Sequence, residues 1–216
     1  MTESAAGIIL RTQPLTETSL IIHWLTPNFG RIATVAKGAR RPKSPFSGKL
    51  DLFYEADFSF SRSRRSELHT LREVSVRQVN GALREDIVKV QQAAYAAAFI
   101  VQTTETETPL PAVFELLKEF LISVGTRKPS PQLIFAFELK MLGELGLEPD
   151  WHKAKLMAGT VKAAQALIQR DFHSIVGLKL ADNQVSELRQ FLHGFIIFHL
   201  GKVPRGRTQA LVSQYD

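Results

Sequence analysis

The chain of 216 residues contains no cysteine, which excludes disulfides, a thiolate zinc site, an iron–sulfur cluster and a cysteine nucleophile. Its longest apolar run, Ala93–Val101, is nine residues, where a membrane span needs about 20. The opening Met1-Thr2-Glu3-Ser4 lacks the basic and apolar regions of a signal peptide. Walker A, Gly-x-Gly-x-x-Gly, His-Glu-x-x-His and Gly-x-Ser-x-Gly motifs are all missing. The six histidines are scattered, and His193 and His199 stand six apart, off the spacing of a metal pair on one helical face. Carboxylates form no cluster suited to magnesium. These absences lead to the expectation of a soluble, cytoplasmic, non-enzymatic chain with no catalytic residue, metal or cofactor.

What is present is positive charge, unevenly placed. The 27 Lys and Arg against 21 Asp and Glu leave a net charge of +6. Residues 1–80 carry 12 basic and 7 acidic side chains, whereas residues 81–216 carry 15 and 14. An excess confined to the first third of the chain points to a polyanionic partner for that part.

The same first third reads as strands. Gly7–Thr12, Ser19–Leu25, Arg31–Ala36, Leu52–Phe60 and Leu68–Val76 are short β-branched or aromatic runs separated by turn signals such as Pro27-Asn28-Phe29-Gly30. In Leu52–Phe60, Leu52, Tyr54, Ala56, Phe58 and Phe60 alternate with Glu55, Asp57 and Ser59, the period of a half-buried strand. Five such strands suggest a small closed barrel of the oligonucleotide-binding (OB) type. After Gly81 the texture becomes helical. Arg84–Gln102, Ala112–Val124, Gln132–Leu145, Thr160–Arg170 and a helix capped by Asp182 or Asn183 running to Leu200 are expected, with Gly146 and Gly201 closing two of them. In the first of these, Ile87, Val90, Ala94, Ala97 and Val101 fall on one apolar stripe. The expected fold is therefore α+β: an OB barrel over residues 1–80, followed by an all-α domain over residues 81–216.

Two cationic loops lie within the barrel. Lys37, Arg40, Arg41, Lys43 and Lys49 fall within 13 residues among Gly, Pro and Ser, and Arg62, Arg64 and Arg65 follow in the next long loop. Such side chains neutralise phosphates without reading sequence, and Trp24, Phe29, Phe46, Phe53 and Tyr54 are candidates either for base stacking or for the barrel core. A third cluster, Lys202, Arg205 and Arg207, suits either a binding edge or the complement of a helix C-terminus.

Taken in order and spacing, Gly7-Ile-Ile-Leu-Arg-Thr, Leu15-Thr-Glu17-Thr18-Ser19, Leu25-Thr-Pro-Asn-Phe-Gly30-Arg31-Ile, Ala36-Lys37-Gly38-Ala39-Arg40-Arg41 and Gly48-Lys-Leu50 resemble the RecO family of bacterial recombination mediators. The resemblance continues at Phe137–Pro149 and returns at His199-Leu-Gly-Lys202. It implies an OB barrel on a helical domain that binds single- and double-stranded DNA and anneals complementary strands. It further implies cooperation with RecR in loading RecA onto DNA coated by single-strand-binding protein, and contact with that protein's acidic C-terminal tail. Within the matched motif, Arg31, Lys37, Arg40 and Arg41 are the first candidates for phosphate contact. For the tail, Leu133, Phe137, Lys140 and Met141 offer one mixed apolar and cationic helix face, or else plain core. Many members carry a four-cysteine zinc module after the position of Pro149; here the chain reads Asp150-Trp-His-Lys, so a region held by packing or loosely ordered is expected. An OB module serving RNA and an adaptor for an acidic protein remain the rival readings.

Overall fold

In the computed structural model, which describes residues 2–175 and 177–212, five strands close into a barrel. They are β1 (Thr2–Pro14), β2 (Leu20–Thr26), β3 (Gly30–Ala36), β4 (Glu55–Ser61) and β5 (Leu68–Gln78). Their order around the barrel is β1-β2-β3-β5-β4. β3 and β5 run parallel, and the other pairs are antiparallel. The length of β1 closes the ring: Thr2–Ile8 pair with β4, and Ile8–Pro14 pair with β2. The strand expected at Gly7–Thr12 is thus only its middle. Thr2–Ala6 has weak strand propensity, and pairing with β4 imposes the extended form.

Trp24, Ile9, Ile22, Ile32, Phe58, Phe60 and Leu71 fill the barrel. Trp24 stacks on Phe58 with ring centroids 4.0 Å apart, and its indole N–H donates to Thr34 Oγ1 at 2.9 Å. The barrel core therefore takes Trp24 and Phe58 together with Phe46, and Phe53 is buried as well. β4 begins only at Glu55, not at Leu52. Phe53 has a φ of 65°; its N–H donates to the Ile9 carbonyl at 2.8 Å, and its own carbonyl accepts from the Asn80 side chain at 2.8 Å. Glu55, expected on the solvent side, is buried with Lys118 Nζ 3.0 Å from its Oε1.

The chain divides into two compact units, Met1–Gly81 with Thr104–Lys118, and Ala82–Thr103 with Glu119–Asp216. Residues 104–118, which the sequence places with the helices, belong to the barrel unit. Backbone hydrogen bonds tie them there: Glu107 N–H donates to the Arg31 carbonyl at 3.0 Å, and Leu110 N–H to that of Pro27 at 3.0 Å.

The helices are α1 (Ile87–Thr103), α2 (Pro111–Thr126), α3 (Pro131–Glu144), α4 (Ala158–Gln169), α5 (Phe172–Ile175), α6 (Asp182–Leu200) and α7 (Arg207–Ala210). In the helical unit, α3 is central, with every residue from Leu133 to Leu139 buried. The stripe expected on α1 is only partly the inward face: Ala97 is buried and Val90 half-buried, but Ala94 is exposed, and Ile87 is 68% and Val101 44% exposed. The buried face instead carries Tyr95, Phe99 and Ile100 beside Ala93 and Ala96, because the larger rings gain most from leaving water. α6 is capped by Ala181, not by Asp182 or Asn183, and the Ala181 N–H is satisfied by Gln184 Oε1 at 3.0 Å. Gly146 (φ 70°) and Gly201 (φ 76°) take the left-handed conformation after α3 and α6, as a helix-ending glycine does. Among the described residues, no helix is long and apolar enough to cross a membrane.

Candidate nucleic-acid interface

The segment from Lys37 to Tyr54 is a chain of tight turns. Successive N–H groups reach back three residues: Arg41 to Gly38, Ser44 to Arg41, Ser47 to Ser44 and Lys49 to Phe46, all at 3.1 Å. Phe46 is buried against the barrel core, with Ala39 and Leu50 packed beside it. A second tie joins the loop to the β1–β2 turn, where Arg40 N–H donates to the Thr18 carbonyl at 2.9 Å. Apolar anchors and satisfied turns hold the backbone while Lys37, Arg40, Arg41 and Lys43 project into solvent. This is a pre-ordered set of cations, so a phosphate strand gains their charge without paying to order the loop.

Lys49 faces a different space. It lines an open groove of about 730 Å³ on the barrel wall together with Arg72 and Arg77 of β5. The floor carries Ala5, Ser59 and Ser75, small side chains that keep it open. Arg77 pairs with Asp57 at 2.6 Å, and Arg72 Nε donates to Ser61 Oγ at 2.9 Å. Neither is assigned to the interface from the sequence: Arg72 falls inside the strand expected at Leu68–Val76 and Arg77 just past it. The signal is present: both stand outside the buried positions of that strand, Arg72 directly after the buried Leu71 and Arg77 three residues past the buried Val74.

The expected cations do not form one patch. Ala33 of β3 pairs with Leu68 of β5, so the loop holding Arg62, Arg64 and Arg65 sits level with the start of β3. Lys37 leaves its far end, about 13 Å beyond Ala33 at ~3.3 Å per residue. Two of the nine candidates are also committed within the barrel unit. Arg31 is half-buried; its Nε donates to Thr104 Oγ1 at 2.9 Å and its Nη2 to the Thr104 carbonyl. Burial pulls its pKa down, with Glu105 opposing. Arg62 bridges Glu3 at 3.0 Å and Glu107 at 2.7 Å; the hydrogen bond it donates to Glu3 is the main cause holding its pKa up. Arg64 and Arg65 are exposed.

The helix face expected to receive an acidic tail is corrected by its burial. Leu133, Phe137 and Met141 are fully buried, and Phe137 packs on Phe99 and Phe120. Lys140 is half-buried, with Nζ donating to the Ile168 carbonyl at 2.6 Å. Its pKa is lowered by burial. The stripe is core because α3 is enclosed on several sides, not one. Arg207 of the third basic cluster is likewise buried, against Glu138, whereas Lys202 and Arg205 are exposed.

Zinc does not fit the residues that follow Pro149. Asp150 accepts from Lys153 at 2.9 Å, His152 is exposed, and among the described residues no three His, Asp or Glu side chains cluster to hold a metal. Packing supports this region instead: Trp151 lies on Phe191 with centroids 5.9 Å apart, and Ala164, Leu167, Phe172 and Ile175 are buried.

Family models for Recombination protein O match the chain twice, the N-terminal model at residues 1–80 and the C-terminal model at residues 84–154. The DNA repair protein RecO of Bacillus subtilis is 33% identical over 150 residues, which is 69% of this chain and 58% of that protein. That of Listeria monocytogenes serotype 4b is 30% identical over 158 residues, 73% of this chain and 61% of that protein. The matched stretch thus spans about 60% of the length of these relatives. With a closed five-stranded barrel followed by helices and both halves of the family pattern matched in order, the chain belongs to the RecO (recombination protein O) family.

Proposed function

We propose that this chain binds DNA, single- and double-stranded, and anneals complementary strands in recombinational DNA repair without catalysing a covalent step. The observation that carries this reading is the anchored turn loop that presents Lys37, Arg40, Arg41 and Lys43 to solvent. Annealing needs no nucleophile or general base. A cationic surface that screens two phosphate backbones lets complementary bases meet, and base pairing supplies the free energy. The relatives from Bacillus subtilis and Listeria monocytogenes are DNA repair proteins, which points the same way.

The finer roles belong to the same proposal: cooperation with RecR, loading of RecA onto DNA coated by single-strand-binding protein, contact with that protein's tail, and a cytoplasmic, nucleoid-associated location. Any tail contact would use a surface other than the buried stripe of α3. The test is strand annealing with matched DNA and RNA oligonucleotides. Faster annealing of DNA than in protein-free controls, lost when Lys37, Arg40, Arg41 and Lys43 are all changed to Ala, supports the reading. Equal action on RNA favours the RNA-binding alternative, and no acceleration of either rejects both.

A further inference from the structure

The outward face of α6 is unusual for a solvated helix. Phe198 is 83% and Ile197 43% exposed. A ladder of rings runs along one edge: Trp151 to Phe191 at 5.9 Å, Phe191 to Phe195 at 5.7 Å, and Phe195 to His199 at 4.3 Å between centroids. Phe198 meets His199 at 4.9 Å. The rings border a groove of about 470 Å³. On the other flank of the same helix, Arg189 and His193 line a second groove of about 620 Å³, and Gln190 and Gly194 belong to both.

Gly194 carries the argument further. It sits inside a 19-residue helix, where glycine is a poor helix former. No described atom lies within 4 Å of where its Cβ would be. Packing among the described residues therefore gives no reason for a glycine there. A ligand that approaches the helix backbone closely does give one.

Charge selects the ligand. From Leu188 to Val212 the sequence has four Lys or Arg, two His and three Phe, and no acidic residue; Arg207 is spent on the buried Glu138, and the one carboxylate lining the ring-lined groove, Asp150, is held by Lys153. A second copy of this chain would bring like charges together, with Asp150 already held by Lys153, which is unfavourable. A single nucleic-acid strand supplies both complements, since phosphates meet the cations and base faces meet the rings.

We propose that this face of α6 is a second single-strand site, at which bases stack on Phe198 and the ring ladder while the backbone passes Gly194 toward Arg189 and His193. It extends the nucleic-acid reading to the helical unit but uses none of the barrel loops. Two strands held on separate surfaces would also suit an annealing protein.

The experiment uses the full chain and a single-stranded oligonucleotide carrying 5-bromodeoxyuridine. After irradiation, cross-linked peptides are mapped in the parent, in the fourfold loop variant (Lys37, Arg40, Arg41 and Lys43 to Ala), and in Phe198→Ala and Gly194→Ala. Cross-links to the 190–200 peptide in the parent and in the loop variant are expected. They should fall at least severalfold in Phe198→Ala, whose melting temperature should match the parent because the ring is exposed. Gly194→Ala should melt higher yet cross-link less. Trp151 fluorescence should be quenched on binding, whereas Trp24 is sealed inside the barrel. Cross-links confined to barrel peptides would overturn this site and leave the barrel reading standing; cross-links to α6 alone would do the reverse. Concentration-dependent dimerisation lost in Phe198→Ala, without α6 cross-links, would assign the face to self-association and overturn the proposal.

Discussion

Arg207 forks onto Glu138, with Nε 2.6 Å from Oε1 and Nη2 2.9 Å from Oε2. Tyr95 donates its hydroxyl to the same carboxylate, and Arg207 Nη1 donates to the Arg189 carbonyl at 3.2 Å. Glu138 is wholly buried, so its charge is tolerable only while these donors remain. Burial and then Glu138 push the Tyr95 pKa well up, which keeps the phenol a donor. For Arg207, burial pulls the pKa down, but the bonds to Glu138 raise it overall.

Removing Arg207 strands a buried carboxylate. Arg207→Ala should therefore cost about 3–5 kcal/mol, read as a lower urea midpoint. The double variant Glu138→Leu with Arg207→Met should recover most of that loss, because an apolar pair leaves no charge to satisfy. A single variant as stable as the parent would show that water solvates Glu138 and that the fork contributes nothing.

Gly30 is required by space as well as by backbone. Its φ is +60°, and a Cβ there would lie 1.8 Å from the Thr108 carbonyl oxygen. Backbone cannot swing aside as a flexible side chain can. Gly30→Ala should destabilise the barrel unit by more than the ~1 kcal/mol of a left-handed conformation alone. Protection of the Glu107 and Leu110 amides from hydrogen exchange should fall with it, since these tie residues 104–118 to the β2–β3 turn. Unchanged protection at both amides would refute this account.

Acid should loosen the barrel through two histidines. Burial is the main cause holding His69 below its ordinary 6.5, with Glu107 opposing. His23 is lowered by burial first and then by the charges of Arg11 and Arg31. Between each lowered value and 6.5 the unfolded chain binds more protons than the folded one, so stability rises with pH there. The contribution is complete above about 6.5 and is lost as pH falls through the folded values. Replacing both with Gln should flatten the slope of urea midpoint against pH below 6.5. An NMR titration placing His69 at or above 6.5 would contradict the assignment.

Period and turn chemistry made much of the fold legible. β3 alternates buried and half-buried residues from Gly30 to Ala36, and Gly146 and Gly201 end helices where the sequence has them. The buried face of α1 is hard to read because alanines carry no direction: Ala93, Ala94, Ala96, Ala97 and Ala98 look alike until Tyr95 and Phe99 are weighed by size. The cations were legible only as a set. Whether an arginine is available to a phosphate depends on groups remote in the chain. Arg31 is taken by Thr104, 73 residues on, and Arg62 by Glu3 and Glu107, 59 and 45 residues away. No local pattern distinguishes them from Arg40.

That difference separates the arginines by experiment. Single-strand affinity should fall with salt at a log–log slope of about −0.7 per phosphate contacted. Arg40→Ala with Arg41→Ala removes two exposed charges from a loop whose backbone is held by Phe46 and Thr18, so the slope should flatten by about one to two contacts. The melting temperature should hardly move, since Arg40 and Arg41 are exposed and surface charges contribute little to folding. Arg31→Ala should do the opposite. It frees Thr104 and lowers stability while leaving the slope near that of the parent, because the guanidinium is already engaged. A folded Arg40 and Arg41 double variant with an unchanged slope would take the strand off this loop, leaving the groove of Lys49, Arg72 and Arg77 as the next surface to neutralise.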